Sequence, residues 1–293
     1  MIEVGIGLPT RLAATQPDLV FDWARRADEG PFSSLAVTDR VVSDALEPLA
    51  VLATAAGVTR RVRLMASVVI GPTRETTLLA RQAATIDVLA GGRLSLGLAV
   101  GARRDDYLVA GTSFETRGRR FDEQLATLRR IWAGEPVAEA MGRVGPVTAR
   151  PEGPELLVGG YVDAVAGRIA RWADGFMAPG GGDPDAMARL WALIGATWEQ
   201  AARPGSPRYV SGSYFALGPG AGDAARAYMT ATYSHDRRLV ERRLKGVPTT
   251  PVAVRALIGQ RTEAGVHELI LRPCSADLDQ LDRLAEILGT LGH

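Results

Sequence analysis

The sequence predicts an α/β fold, a (β/α)8 TIM barrel. Three observations lead there. Short apolar, β-branched runs alternate with longer amphipathic segments, the strand signals number eight, and most of them close on glycine, proline or a polar pair. A chain of 293 residues suits one such barrel, so residues 1–293 are read as a single domain.

The elements follow in order. Ile2 to Leu8 reads as the first strand, closed by Pro9. Pro17 to Gly30 reads as a helix with Phe21, Ala24 and Ala27 on one face, stopped by Gly30-Pro31. Ser33 to Thr38 is the second strand, ending at Asp39-Arg40, and Leu46 to Gly57 the next helix. Val62 to Ile70 is the third strand, with Gly71-Pro72 behind it. Arg74 to Leu89 is a helix ended by Gly91-Gly92, and Arg93 to Val100 the fourth strand. From Glu115 to Ala133 the helical period is clearest: Phe121, Leu125, Leu128 and Trp132 form one core-facing stripe.

Glycines and prolines crowd residues 134–153, which read as a long loop. Glu155 to Val158 is the fifth strand before Gly159-Gly160, then Val162 to Trp172 a helix. Gly175 to Ala178 is the sixth strand. Asp183 caps the helix to Ala201, with Pro184 at its first position. Arg208 to Leu217 is the seventh strand. Helical stretches from Gly222 to Lys245 and from Pro251 to Ala264 precede the eighth strand, Glu268 to Leu271. Asp277 to Leu288 is the last helix. A doubly wound open sheet is the rival, and it is disfavoured because no GxGxxG opens the first strand–helix turn.

Composition narrows the function. The formal net charge is +1, which lacks the basic excess that nucleic-acid binding needs. Cys274 is the single cysteine, so an internal disulfide and multi-cysteine metal sites are excluded, and a reducing cytoplasm is the expected location. Lys245 is the single lysine, in a run that reads as solvated. There is no HExxH, no phosphate loop of the GxxxxGK[ST] type and no GxSxG. Residues 1–5 show no signal-peptide pattern, and no run of about 18 apolar residues suggests a membrane span. A metal-dependent hydrolase would have few ligands to draw on, since the histidines are His235, His267 and His293.

In a barrel of this kind the site lies at the carboxyl ends of the strands. Those ends hold Thr10-Arg11, Asp39-Arg40, Ser67 to Val69, Val100 to Asp106, Gly159 to Tyr161, Ala178 to Gly180, Tyr214 and Arg272. The set is rich in glycine and arginine and holds no histidine. It suits a large phosphorylated cofactor that performs the chemistry itself.

Residues 74–101 carry a resemblance. Ala83-Ala-Thr-Ile-Asp87, then Leu89-Ala-Gly-Gly-Arg93, then Leu96-Gly-Leu-Ala-Val-Gly101, resemble the bacterial luciferase-like flavin and deazaflavin oxidoreductases. Phe114 to Glu123, and Leu157 to Gly160 running on to Ala173-Asp-Gly-Phe176, agree with it. The resemblance covers nearly the whole chain. It implies an oxidoreductase exchanging hydride between the deazaflavin coenzyme F420 and a small-molecule substrate. The alternatives are an FMN-dependent monooxygenase and a non-catalytic flavin-binding barrel. A homodimer is also implied.

The same resemblance assigns residues. Asp39 matches an acidic residue lining the cofactor site. Ser67 and Val68 match a strand bulge, often with a non-proline cis peptide, against one ring face. Gly101 and Asp105 match the loop beside the pyrimidine or ribityl part, and Gly159, Gly160 and Tyr161 a glycine turn that receives a phosphate. Many deazaflavin relatives carry Asp-His where this chain has Asp39-Arg40, and arginine cannot serve as a base near neutral pH. Arg40 is therefore expected to stabilise an anion. Ala102-Arg103-Arg104 stands where many relatives have Trp or Glu followed by Asn. Arg11, Tyr107 and Arg272 are the candidate substrate contacts. Without the resemblance, Asp39 reads first as a helix cap or a partner of Arg40. Arg103 and Arg104 read first as solvated charge, His267 as structural and Cys274 as an inert buried thiol.

Overall fold

In the computed structural model, residues 2–12, 16–138, 142–180, 183–233 and 236–291 are described. Eight parallel strands close into a barrel in sequence order. They are β1 (Glu3–Gly7), β2 (Ser34–Val37), β3 (Arg63–Ile70), β4 (Leu94–Ala99), β5 (Glu155–Gly159), β6 (Gly175–Ala178), β7 (Arg208–Phe215) and β8 (Glu268–Pro273). Pairing of β1 with β8, from Glu3↔Glu268 to Ile6↔Leu271, closes the ring.

The helices between them are α1 (Pro17–Glu29), α2 (Pro48–Val58), α3 (Thr76–Leu89), α4 (Arg104–Val109), α5 (Arg117–Trp132) and α6 (Ala164–Trp172). They continue as α7 (Pro184–Gln200), α8 (Ala221–Thr232), α9 (Arg237–Lys245), α10 (Pro251–Glu263) and α11 (Asp279–Gly289). Two findings depart from the sequence reading. The helix α4 was not expected: six residues are too short to display an apolar period. The single helical stretch read from 222 to 245 is two helices. Tyr233 closes α8, and the Asp236 carboxylate accepts the Leu239 N–H at 3.0 Å to start α9. Elsewhere boundaries move by about two residues, at some helices because a side chain sets the cap. Glu75, for example, accepts from the N–H groups of Thr77 and Leu78 and starts α3 two residues after Arg74. The Asp183 cap and Pro184 of α7 are as expected.

Two apolar layers form. One lies between the sheet and the helices and includes Trp23, Phe32, Leu52, Leu79 and the Phe121, Leu125, Leu128, Trp132 stripe of α5. The other fills the barrel itself with Ala36, Met65, Leu157, Met177, Val210 and Ile270. Each fully buried side chain of this size contributes about 1.5–3 kcal/mol, so these layers dominate the stability.

The amino end of the barrel is shut by charge. Glu268 is fully buried and accepts from Ser33 Oγ at 2.5 Å and Ser34 Oγ at 2.6 Å. Arg208 bridges Glu268 and Glu155, the latter at 2.6 Å, and Ser95 donates to Glu155. Only glycine fits at position 5, since a Cβ there would lie 2.2 Å from Ser34 Oγ. His267 sits at this end with its Nδ1 accepting the Tyr209 N–H at 2.8 Å, a structural role as expected.

Asp28 ties α1 to the start of β3, accepting from the N–H groups of Arg60, Arg61 and Val62 at 2.8, 2.7 and 2.8 Å. Burial opposes its charged form, but the three donors and Arg61 outweigh burial and hold the carboxyl below its ordinary 3.8. Its stabilising contribution is therefore complete above pH 3.8 and is lost as pH falls through the lower folded value. Asp28→Asn is expected to cost about 1–3 kcal/mol in urea unfolding at pH 7. The gap between wild type and variant should narrow as the acid is titrated below that range. A gap that stays constant with pH contradicts the assignment.

Candidate active site

A cleft of about 1040 Å³ opens at the carboxyl ends of the strands, at the upper end of the range usual for small-molecule and cofactor sites. Arg11, Asp39, Arg40, Ser67, Val68, Gly101, Gly159, Gly160, Tyr161 and Arg272 all line it. Asp105 and Tyr107, both expected there, do not. Asp105 lies in the first turn of α4, where its hydrogen bond to Arg103 holds the carboxyl down at about 2. Tyr107 is buried beneath the cleft, its hydroxyl donating to the Val100 carbonyl and its ring edge-on to Phe114 at 5.3 Å. It braces the loop after β4 and is out of reach of a substrate.

The ends of β2 and β3 are joined by Asp39. Its Oδ2 accepts the Ile70 N–H at 3.0 Å and pairs with Arg74 at 3.1 Å. Burial pushes the Asp39 carboxyl above its ordinary 3.8, although Arg74 and the Ile70 N–H pull the other way. Its partner is thus Arg74 and not Arg40. A register shift between Ala66 and Val69 makes the expected bulge on β3, and the Ser67–Val68 peptide is cis. Ser67 Oγ donates to the Val37 carbonyl at 3.3 Å.

Gly97 lets β4 approach this bulge, since a Cβ there would be 2.2 Å from the Ala66 carbonyl oxygen. Gly101 has φ +67°, the left-handed region that favours glycine, and a Cβ would lie 2.9 Å from Ile70 Cγ2. At the start of α6 no side chain caps the helix. A Cβ on Gly160 would stand 2.7 Å from Val165 Cγ2, so the turn stays bare backbone.

The cationic side chains divide into tied and untied. Arg11 is clamped by Asp44 at 3.0 Å and by the Ala231 carbonyl at 2.8 Å, linking the loop after β1 to α8. Arg40, expected to meet a bound anion, already faces Asp106: its Nε lies 3.0 Å from Oδ2 of that buried carboxylate. Asp106 also accepts from the N–H groups of Val41 and Val42 at 3.1 and 2.9 Å, which fixes the segment after β2. Arg168 pairs with Asp122 at 2.7 Å. Arg117, Arg243 and Arg272 line the cleft with no carboxylate within ion-pair distance among the described residues.

Helices supply a further wall of the cleft that no strand-end position announces. Tyr228 of α8, Tyr233 after it and Arg243 of α9 face the cleft, with Arg117 and Arg168 from α5 and α6. Tyr214 Oη and Tyr233 Oη are 3.1 Å apart, and Arg243 lies over the Tyr233 ring at 5.6 Å. A signal was present, since three of the six tyrosines fall between positions 214 and 233. Burial pushes the Tyr228 hydroxyl up to about 12 and Tyr214 well above its ordinary value, so both stay protonated near neutral pH. Among the described residues no group of three or more His, Cys, Asp or Glu could hold a metal, and no helix is long and apolar enough to cross a membrane.

The closed barrel thus carries a broad cleft of glycine, arginine and tyrosine at its carboxyl face, of a volume usual for small-molecule sites. Residues 2–270 match the family described as luciferase-like monooxygenase, and the chain belongs to that family, whose members are oxidoreductases or monooxygenases. An uncharacterized Mycobacterium tuberculosis protein is 35% identical over 164 residues, 54% of this chain and 56% of that one. The chain thus matches about half the length of its first curated relatives. Among solved structures, the monooxygenase RslO1 from Streptomyces bottropensis aligns with a TM-score of 0.81 at 24% identity, over 98% of this chain and 97% of that one. An F420-dependent secondary alcohol dehydrogenase aligns at 0.76 and 17% identity, over 98% of both. At such identities the likeness speaks for the fold.

Two measurements check the site's architecture. Asp106→Ala removes the nearer carboxylate of Arg40, leaving Asp105 at 3.8 Å, and leaves the Val41 and Val42 N–H groups without an acceptor. Urea unfolding should show a loss of about 1–3 kcal/mol, and no loss would remove Asp106 from its bracing role. Cys274 is buried, and burial pushes its thiol up to about 12. An aromatic disulfide reagent at pH 8 should leave it unmodified in the folded protein and label it in denaturant. Rapid labelling of the folded protein contradicts the inert assignment.

Proposed function

We propose that the cleft holds the deazaflavin coenzyme F420 and that the protein transfers hydride between it and a small organic substrate. The observation carrying this reading is charge: among the described residues seven arginines and two aspartates line the cleft, with no glutamate. Three of those arginines have no carboxylate partner among the described residues. A cofactor with a phosphodiester and a carboxylate tail supplies the anions that such a wall attracts.

The residues present fit the group. The bare turn at Gly159, Gly160 and Tyr161, leading into α6, offers backbone N–H groups and the positive end of a helix dipole to a phosphate. Arg243, whose Nη2 lies 3.5 Å from Tyr161 Oη and whose Nε is buried without an acceptor, stands beside that turn. Val68, on the bulge beside Ser67, offers an apolar step for one face of a ring, backed by Met65 and Leu157 in the barrel. Asp39 would face the ring from the end of β2, its orientation fixed by Arg74 and the Ile70 N–H. When bound, the deazaflavin supplies the hydride-exchanging ring carbon. The protein's own work is to orient, to exclude water and to keep the Tyr228 and Tyr214 hydroxyls protonated as donors.

Titration of purified protein should give a micromolar or tighter dissociation constant for F420 and clearly weaker binding of FMN. Equal or better binding of FMN overturns the preference and favours the flavin monooxygenase reading. Gly160→Leu should weaken F420 at least about tenfold by filling the turn, equivalent to roughly 1.4 kcal/mol. Unchanged affinity removes the turn from the phosphate site.

A further inference from the structure

The floor of the cleft is built around one guanidinium. Arg272 projects from β8 between β1 and β7, and both neighbours are cut back to glycine beside it. A Cβ on Gly7 would lie 2.9 Å from Arg272 Cγ, and one on Gly212 would lie 2.3 Å from its Nη1. The side chain is held from one edge only: Nη2 donates to Ser67 Oγ at 3.0 Å and to the Ser67 carbonyl at 3.1 Å. Its Nε is buried with no acceptor, and no carboxylate lies within 4.0 Å among the described residues. Nη1 makes no hydrogen bond among the described residues and, unlike Nε, is not sealed from the cleft, so it is the donor open to an anion.

Aromatic rings stand beside the guanidinium. The Tyr214 ring centroid is 5.9 Å from Arg272 Cζ, and the Tyr214 and Tyr228 centroids are 5.6 Å apart. No hydrogen bond engages the Tyr228 hydroxyl among the described residues. In the closed order of strands, β8 lies across the mouth from β4 and next to the strand opposite β5. The loop with Gly101 and the turn at Gly159–Gly160 therefore sit on the far side from Arg272. An anion on Arg272 is separate from a phosphate at that turn.

We propose that the substrate of this cleft is a carboxylate carried on a flat, conjugated body. Arg272 binds the carboxylate through Nη1, Tyr228 Oη adds a second donor, and the Tyr214 and Tyr228 rings hold the body. This rests on reading the cleft as the reaction site, but not on which cofactor occupies it.

Calorimetric titration of the purified protein with cinnamate and with cinnamamide tests it. Cinnamate should bind at least about tenfold more tightly than the neutral amide, the range of one charge-assisted pair. Arg272→Gln should abolish the preference, and Arg272→Lys should restore part of it. Should Arg272→Gln lose its circular-dichroism signature of folding, Tyr228→Phe carries the comparison: it should weaken cinnamate by several-fold. Equal binding of acid and amide, no binding of cinnamate, or a preference untouched by these variants overturns the proposal. Displacement of cinnamate by inorganic phosphate, or by loading with F420, assigns Arg272 to the cofactor and overturns it as well. Failure of F420 to bind while the cinnamate preference persists sinks the cofactor reading and leaves this one standing.

Discussion

Barrel closure forces a choice of ends, and buried charge makes it. Glu268, Glu155 and Arg208 meet inside the amino end with Ser33, Ser34 and Ser95, and every one of these groups is committed to another. Removing one member of such a network strands its partner in a low-dielectric interior at a cost of about 3–5 kcal/mol. That end is consequently sealed. The middle is packed by Met65, Leu157, Val210 and Ile270, and the broad cleft opens at the carboxyl end.

At that open end, space is made by leaving out side chains. Gly97 brings β4 against the bulge of β3, Gly160 keeps the turn before α6 bare, and Gly7 with Gly212 give Arg272 its slot. Each of these glycines is read as a contact and not as a hinge, because the atoms that a Cβ would strike lie within 3 Å. The cleft's shape therefore belongs to the backbone, and substitution at these points would alter the site through packing before it altered any charge.

The remaining charges show why arginine count alone is a poor guide to a binding site. Arg11 and Arg40 sit at strand ends and face the cleft, yet Asp44 and Asp106 already neutralise them, and their work is to fasten loops. Arg243 and Arg272 face it with donor edges unspent. An exposed pair is worth little, whereas a buried donor without an acceptor is a standing cost. That difference separates the arginines that fasten loops from those with donors unspent, and it depends on which carboxylates fold back to reach which arginines.

The alternation of β-branched runs with amphipathic helices was enough to specify eight strands, their order and the end at which the cleft opens, because those follow from local period and from the handedness of β–α–β units. Strand ends such as Asp39, Ser67 and Gly160 were legible for the same reason: their position in the chain is their position at the mouth. What tertiary structure alone decided was pairing across long sequence separation. Asp39 chooses Arg74 over its neighbour Arg40, Tyr107 turns beneath the mouth to Val100, and α8 and α9 lay Tyr228, Tyr233 and Arg243 over it. Periodicity says which face of an element is buried, but not which distant element arrives to cover it. Those contacts are fixed by the packing of whole helices on the closed sheet, where no single segment carries the information.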